Sequence, residues 1–292
     1  MCRWIAYSGV PRPLEHYVIS QDHSLVEQSR RALQSTTGVN GDGFGLGWFG
    51  SHTEPGLFRD LRPAWSDENL RYLCRHLISH QYFAHVRAAT GTAVTRQNCH
   101  PFACGRWLFM HNGFIGGWNR LRRRIEGLIP DDLYPSRLGT TDSEALFLAI
   151  LGQGLNGTTM NNDPVSAAVS TLSTVCSILG REPFRFTSAL ANGDSIYAFR
   201  FAFNDRANTM YYRYAEGDLI VVSEPLDGRQ DSWIEVPEDT VLVSKKGEEP
   251  ELRQLTIQKP PLGSEFGAAQ DVKQVPQGDY FEGRKKQSRN ES

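Results

Sequence analysis

The 292-residue sequence lacks several features that would assign it to a common class of protein. It contains no apolar run near the roughly 20 residues that a membrane-spanning helix needs. It has no excess of either charge, since 31 Lys and Arg residues nearly balance 33 Asp and Glu residues. We therefore expect neither a membrane nor a nucleic acid as a partner, because no overall field attracts a polyanion.

Cysteine is scarce and irregularly placed. The five cysteines are widely spaced and form no CxxC pair, so the sequence predicts neither a disulfide framework nor a zinc site. No apolar segment typical of a signal peptide follows Met1. We expect a reduced, cytoplasmic protein that holds no metal. All cysteines except Cys2 are interpreted as packing residues, namely Cys74, Cys99, Cys104 and Cys176.

Hydrophobic patterning predicts strands at both ends of the chain with helices between them. Residues 3–8 predict a buried strand that begins almost at the first residue. Helices are predicted over 22–35, 66–80, 118–128 and 163–180, and further strands over 82–88, 107–110, 186–190, 195–203, 209–214, 219–223 and 240–244. The Gly-rich stretch 40–47 predicts a loop. It has neither the spacing nor the Lys of a P-loop, so it is no phosphate cradle.

Short motifs predict the ends of several elements. Thr141 to Glu144 has the spacing of a capping box ahead of the apolar run 145–151. The pairs Asn192-Gly193 and Glu216-Gly217 predict hairpin turns. After residue 260 the chain is rich in Gly, Pro, Gln and charge, which is typical of disorder. We expect an α+β fold with a single domain over 2–258 and a flexible tail over 259–292.

Cys2 directly follows the initiator methionine. That methionine is normally removed when a small residue comes second, and Cys2 would then carry a free α-amino group. This amine titrates near pH ~8, so it can act as the general base for the thiol beside it. Taken alone, the position favours a buried packing residue at the start of a strand.

Four further motifs follow in order along the chain. They are AHVRAATG at 84–91, NCHPF at 98–102, HNG at 111–113 and TDSE at 141–144. After an N-terminal Met-Cys, this order and spacing resembles the class II glutamine amidotransferases of the N-terminal-nucleophile hydrolase superfamily. The resemblance covers residues 2–150 and extends more weakly to VSEPL at 222–226. It implies a four-layer αββα sandwich and a reaction that needs no metal or organic cofactor.

The resemblance also implies a role for each motif residue. Cys2 matches the nucleophile that attacks a γ-carbonyl and becomes a γ-glutamyl thioester. Asn112 and Gly113 match the two donors of an oxyanion hole. Arg87 matches the residue that binds the substrate α-carboxylate, a task suited to a planar two-point donor. Asp142 matches the carboxylate that binds the substrate α-ammonium group.

Three residues of these motifs have less direct roles. Thr90 matches a position that lines the pocket, and it equally suits the end of a strand. His100 and His111 are expected to position groups or donate hydrogen bonds, since the α-amine already supplies the base. Taken one at a time, the other motif residues also suit a surface arginine, a helix cap and a turn. Their occurrence together beside Cys2 favours the functional interpretation.

The resemblance leaves three functions open. The first is a stand-alone amidohydrolase for a small-molecule γ-glutamyl amide, similar to the group that includes the ergothioneine-biosynthesis amidohydrolase. The second is the glutaminase subunit of a two-chain amidotransferase, which passes ammonia to a separate synthase. The third is a catalytically silent binding subunit on the same fold. The chain is too short to add a synthetase, phosphoribosyltransferase or isomerase domain, which favours the first. Every candidate site residue is present, which argues against the third.

Overall fold

The computed structural model describes residues 2–34, 38–89, 91–156 and 163–259, all within one compact unit, Met1–Pro260. The strands are β1 (Arg3–Pro13), β2 (Phe44–Trp48), β3 (Gly56–Asp60), β4 (Ile78–Val86), β5 (Phe102–Cys104), β6 (Trp107–Ile115), β7 (Phe184–Ala191), β8 (Ser195–Phe203), β9 (Tyr211–Ala215), β10 (Asp218–Val222), β11 (Ile234–Glu235), β12 (Thr240–Lys245) and β13 (Glu251–Gln254). The α-helices are α1 (Glu15–Val18), α2 (Leu25–Arg30), α3 (Glu68–His76), α4 (Trp118–Glu126), α5 (Asp142–Leu151) and α6 (Pro164–Leu179). The predicted tail, 259–292, lies outside the described residues apart from Lys259.

The strands form two antiparallel sheets. Seven strands of the first sheet lie in the order β11-β9-β10-β1-β4-β2-β3, and six strands of the second lie in the order β13-β12-β8-β7-β6-β5. Strand β1 is therefore the central strand of the first sheet. It pairs with β10 on one side and with β4 on the other.

Three apolar cores hold the sheets and helices in four layers. One core lies between the two sheets, where Trp4 and Phe83 of the first sheet meet Met110 and Ile196 of the second. A second core packs α1, α2 and α3 on the outer face of the first sheet. A third packs α4, α5 and α6 on the outer face of the second sheet. Full burial of each large apolar side chain contributes about 1.5–3 kcal/mol. The predicted α+β, four-layer αββα sandwich is confirmed.

The helices of the first layer are shorter than the pattern predicts. Of the helix expected over 22–35, the described residues 22–34 are helical only over α2, whose N-cap Ser24 accepts a hydrogen bond from the Glu27 N–H. The helix expected over 66–80 begins at its Asp67 cap and ends at His76. The backbone of Leu77 is extended, and β4 begins at the next residue. The prediction for 77–80 was therefore wrong, because apolar spacing alone does not separate a helix end from a strand start.

The Gly-rich stretch is a strand over half of its length. Residues 44–47 belong to β2, which pairs with β3 and β4. A Cβ atom on Gly45 would collide with the carbonyl oxygen of His100, and one on Gly47 would lie 2.6 Å from the Leu108 side chain. Glycine is required here because the neighbouring backbone and side chains approach closely. The loop prediction was wrong for this part.

Strand β6 is longer than predicted. It runs through the HNG motif, and it pairs Asn112 with Thr187 and Gly113 with Phe186 of β7. The alternative that Asn112-Gly113 forms a turn is therefore wrong. The hairpin predictions are confirmed: Glu216 and Gly217 both have positive φ, and Gly193 has φ 92° between β7 and β8. No helix in the described part of the chain is long and apolar enough to span a bilayer.

Candidate active site

A cavity of about 500 Å³ opens at the start of β1 and at the ends of β4 and β6. Its wall is built from the residue before β1, the segment after β4, the second half of β6 and the start of α5. It brings together every candidate site residue that the structure describes: Cys2, Arg87, His111, Asn112, Gly113 and Asp142. Thr90 lies outside the described residues.

Cys2 precedes the central strand β1 and borders the cavity. Side chains alternate along a strand, so Cys2 shares a face with Trp4 and Ala6, which pack between the sheets. Its Sγ lies 3.7 Å from the carbonyl oxygen of Ala88. Burial raises the pKa of the Cys2 thiol, and the nearby Arg87 only partly offsets this. The thiol therefore needs a base to become a nucleophile at neutral pH.

Arg87 follows β4 and is buried at the cavity wall. Its Nη2 donates to Thr92 Oγ1 at 2.8 Å and to the carbonyl oxygen of Ala93 at 3.2 Å. Its Nη1 is buried and has no hydrogen-bond partner among the described residues. Buried guanidinium donors are normally paired, so this atom suits an anionic group of a ligand. The surface-arginine alternative is wrong.

Asn112 and Gly113 border the cavity from β6. The carbonyl oxygen of Asn112 accepts from Asn208 Nδ2 at 3.0 Å, which fixes the backbone here. The Asn112 Nδ2 is buried and has no partner within the described chain. A side chain on Gly113 would collide with the Arg185 carbonyl and the His111 ring. The Asn112 side-chain amide therefore has an unused donor. The next residue, Gly113, lets the backbone of β6 come close to the backbone of Arg185.

Asp142 is the first residue of α5 and joins that helix to β6. Its Oδ2 accepts from the Ile115 N–H at 2.8 Å, and its Oδ1 accepts from the Ser143 N–H at 2.8 Å. The cap itself is Thr141, whose Oγ1 accepts from the Glu144 N–H at 3.2 Å. The predicted capping box is present only in this half, because the Glu144 carboxylate binds residues 137–139 instead.

The three histidines near the cavity are buried and poor bases. His111 Nε2 donates to the Arg185 carbonyl at 3.0 Å, and its Nδ1 lies 2.9 Å from Ser143 Oγ. The His100 ring packs against the His85 ring at an interplanar angle of 30°, with ring centroids 4.4 Å apart. Burial lowers the pKa of His85 to about 3 and lowers the pKa of the other two. The expectation that His100 and His111 position groups stays a prediction.

Several residues around the site were missed from the sequence. Asn208 and Ser143 hold Asn112 and His111 as described above, and Arg185 lines the cavity. Behind Cys2, Arg3 forms a buried ion pair with Glu224. The only signal for this pair was the VSEPL segment, which resembled the family without indicating a contact. Within the described chain, no group of three or more His, Cys, Asp or Glu side chains could hold a metal ion.

Comparison with known proteins gives consistent matches over most of the chain. The family described as glutamine amidotransferases class-II matches residues 22–214. The chain is 30% identical to the probable glutamine amidotransferase DUG3 of Saccharomyces cerevisiae, over 84% of this chain and 82% of that protein. It is 26% identical to the gamma-glutamyl-hercynylcysteine sulfoxide hydrolase of Mycolicibacterium smegmatis, over 82% and 93%. A solved glutamine aminotransferase class-II domain protein from Silicibacter pomeroyi superposes with a TM-score of 0.66 at 34% identity, over 87% of this chain and 100% of that one.

Proposed function

This chain belongs to the class II glutamine amidotransferases, and from that membership we propose that it hydrolyses a γ-glutamyl amide through a thioester on Cys2. The proposal depends on one observation above all: Cys2, Arg87, Asn112 and Asp142 border a single cavity, where two of them present buried donors that have no partner among the described residues. Such donors cost free energy until a ligand supplies acceptors.

The reaction begins once Met1 has been removed. The α-amine of Cys2 takes the proton from the thiol, since an ordinary α-amine has a pKa near ~8. The thiolate attacks the γ-carbonyl carbon, and the resulting oxyanion accepts hydrogen bonds from Asn112 Nδ2 and the Gly113 N–H. The C–N bond breaks as the α-ammonium group of Cys2 gives its proton to the leaving amine. Water then attacks the thioester, and the same amine assists, so that glutamate is released and the thiol is restored.

The glutamyl group is held at its α-carbon end. Arg87 binds the α-carboxylate through Nη1, which has no partner in the described part of the chain, and Asp142 binds the α-ammonium group from the start of α5. His111 positions β6 and α5 relative to each other through its two hydrogen bonds. Thr90 is proposed as a further substrate contact. The proposal assigns residues 2–258 to one catalytic domain and 259–292 to a tail.

The size of the cavity supports a substrate larger than glutamine. A γ-glutamyl group has nine heavy atoms, which fill at most roughly 270 Å³ even at the ~30 Å³ that a whole water molecule occupies. Nearly half of the cavity is left for the leaving amine. Phe114, Trp118 and Asn119 line the wall together with the glutamyl-binding residues. The relative from Mycolicibacterium smegmatis, whose name gives it a γ-glutamyl substrate, also favours the stand-alone hydrolase.

We further propose that the protein works in the cytoplasm. Its mechanism requires a free thiol, and reducing compartments keep thiols free. The five cysteines are unpaired in the structure.

The test is glutamate release from glutamine and from a panel of γ-glutamyl amides, with the loss of Met1 verified by intact mass. We expect faster release from a larger γ-glutamyl amide than from glutamine, and none above background from Cys2→Ala. Release from glutamine alone would favour the two-chain amidotransferase. Activity retained in Cys2→Ala would refute the thioester. No release from any substrate by processed protein would favour a silent binding subunit.

A further inference from the structure

A buried ion pair lies directly behind the proposed nucleophile. Arg3 and Glu224 have exposed fractions of 0% and 1%, and Arg3 Nε lies 3.0 Å from Glu224 Oε2. Arg3 follows Cys2 in the chain, while Glu224 follows the end of β10, the strand beside β1. Neither residue lines the cavity. The hydrolysis as proposed assigns them no role.

The Glu224 carboxylate is ion-paired with Arg3, and hydrogen bonds to other residues fix it. Its Oε1 lies 2.6 Å from His23 Nε2 and accepts from the Leu33 N–H at 2.8 Å, and its Oε2 accepts from the Gln34 N–H at 3.0 Å. Burial raises the pKa of Glu224, but these hydrogen bonds outweigh it and hold the pKa below its ordinary value. The carboxylate therefore stays charged and has one orientation.

Arg3 transmits this orientation to the nucleophile. Its Nη1 donates to the carbonyl oxygen of Cys2 at 3.2 Å. The pairing of β1 with β4 begins only at Arg3, so the sheet ladder does not hold Cys2 itself. The next residue, Trp4, is clamped by Ser223, whose Oγ accepts from the Trp4 N–H at 3.0 Å. Residues 223–224, which directly follow β10, thus hold residues 2–4 at the start of β1.

We propose that Arg3 and Glu224 are positioning residues, which hold the Cys2 peptide plane so that the thiol and the α-amine face the substrate carbonyl. This inference rests on the proposed function, because it assumes that Cys2 is the nucleophile. Once Met1 is removed, Cys2 is a chain end, and a chain end has conformational freedom that a strand residue has lost. A misplacement of about 1 Å at a reacting atom can cost about 10²-fold in rate.

The pair also balances charge around the α-amine. The charges of Arg3 and Arg87 both lower the pKa of the Cys2 thiol, against the larger effect of burial, which raises it. The Glu224 carboxylate offsets the charge of Arg3. His23 is a further titratable group that contacts the Glu224 carboxylate. Without the Glu224 charge, Arg3 would favour the neutral form of the nearby amine. The acid limb of the pH profile of kcat/KM should then move to lower pH.

The first experiment compares Glu224→Gln with Asp227→Asn, using the best γ-glutamyl amide of the wild-type protein. Asp227 is a matched control, since it lies three residues further along and pairs with Arg213 away from the cavity. Glu224→Gln should lower kcat by about tenfold to hundredfold, change KM less than about threefold, and shift the acid limb. Asp227→Asn should keep the wild-type kcat. Equal kcat in all three proteins, or equal loss in both variants, would overturn the inference.

A second comparison separates positioning from folding. Removing one partner of a buried pair destabilises a protein, whereas removing both charges is often neutral. The double variant Arg3→Met/Glu224→Gln should therefore unfold near the wild-type Tm and still lose kcat at least about tenfold. Wild-type kcat in the double variant would show that the pair only stabilises the fold.

The conservative variant and the wild-type protein complete the design. Glu224→Asp keeps the charge with a shorter reach, so it should recover part of kcat and the wild-type acid limb. A Glu224→Asp profile identical to that of Glu224→Gln would contradict the charge role. Absence of activity in the wild-type protein itself is a failure of the proposed function, and it is visible before any variant is measured. Intact mass should be measured to verify that Met1 is lost in every protein compared.

Discussion

Two residues of the cavity wall each carry a buried hydrogen-bond donor that no described residue satisfies. Arg87 Nη1 and Asn112 Nδ2 are buried without partners in the described chain, while Arg87 Nη2 binds Thr92 and the Asn112 carbonyl binds Asn208. An unsatisfied buried donor costs about 1–3 kcal/mol. Both atoms belong to residues that border the cavity. A ligand with two oxygen acceptors would recover that free energy on binding.

Replacing Arg87 by Ala should mainly weaken substrate capture. The variant loses a charge-assisted contact with the α-carboxylate, so KM should rise by about tenfold to hundredfold while kcat falls less. Steady-state kinetics of glutamate release measure both constants. Arg96→Ala is the control, because Arg96 is an exposed arginine nearby that pairs with Asp60. An unchanged KM in Arg87→Ala would remove the assignment of the glutamyl pocket.

At the scale of elements, local signals predicted the structure where they were strong. The strand at residues 3–8, the helix predicted over 163–180, and the hairpin at Glu216-Gly217 are all observed. Strand β2 was missed because its glycines are chosen by contacts with residues about 55 to 60 positions away, which no local pattern contains. The extension of β6 was missed because Asn-Gly is a turn signal, here overridden by pairing with β7.

The close approach at β2 predicts a difference between two glycines. Gly45→Ala places a methyl group against the His100 carbonyl, so it should lower the free energy of unfolding by about 1–3 kcal/mol. Gly50→Ala, just after the same strand, meets no atom within 4 Å and should change it by less than about 0.5 kcal/mol. Urea denaturation of both variants gives the comparison. Equal stabilities would show that the strand shifts to accept the methyl group.

For the molecule as a whole, the sequence predicted candidate residues that lie together, but it did not predict the long-range contact behind them. The motif resemblance named Cys2, Arg87 and Asp142, and the structure brings all three to one cavity. It did not pair Arg3 with Glu224, because 221 positions separate them and the contact depends on β1 and β10 being neighbours. Long-range strand order follows from the packing of all layers together, so motifs alone could not predict it.

Buried histidines predict that the fold is sensitive to acid. Burial lowers the pKa of His85 to about 3 and that of His100 well below its ordinary value. In the unfolded chain these groups titrate near ~6.5, so below that pH the unfolded state binds more protons. The free energy of unfolding should therefore be level above pH about 7 and fall as the pH drops below about 6.5. His85 alone should account for a loss of about 2 kcal/mol at pH ~5.

Urea titrations between pH about 5 and about 7.5 measure this slope. Carboxylates with lowered pKa values lose their protons below this range, so they do not contribute to it. His85→Gln should flatten the slope, and substitution of the exposed His52 by Gln should leave it as in the wild-type protein. A slope that is the same in all three proteins would contradict the role of the buried imidazole.

The place of Cys2 at the cavity wall, one residue ahead of the central strand of its sheet, bears on how the protein is prepared. An affinity tag joined ahead of Cys2 would start inside the cavity and would turn the α-amine into an amide, which is no base. Such a preparation should be inert even when it is perfectly folded. The tag therefore belongs at the carboxyl end, or it must be cut by a protease that leaves Cys2 as the first residue.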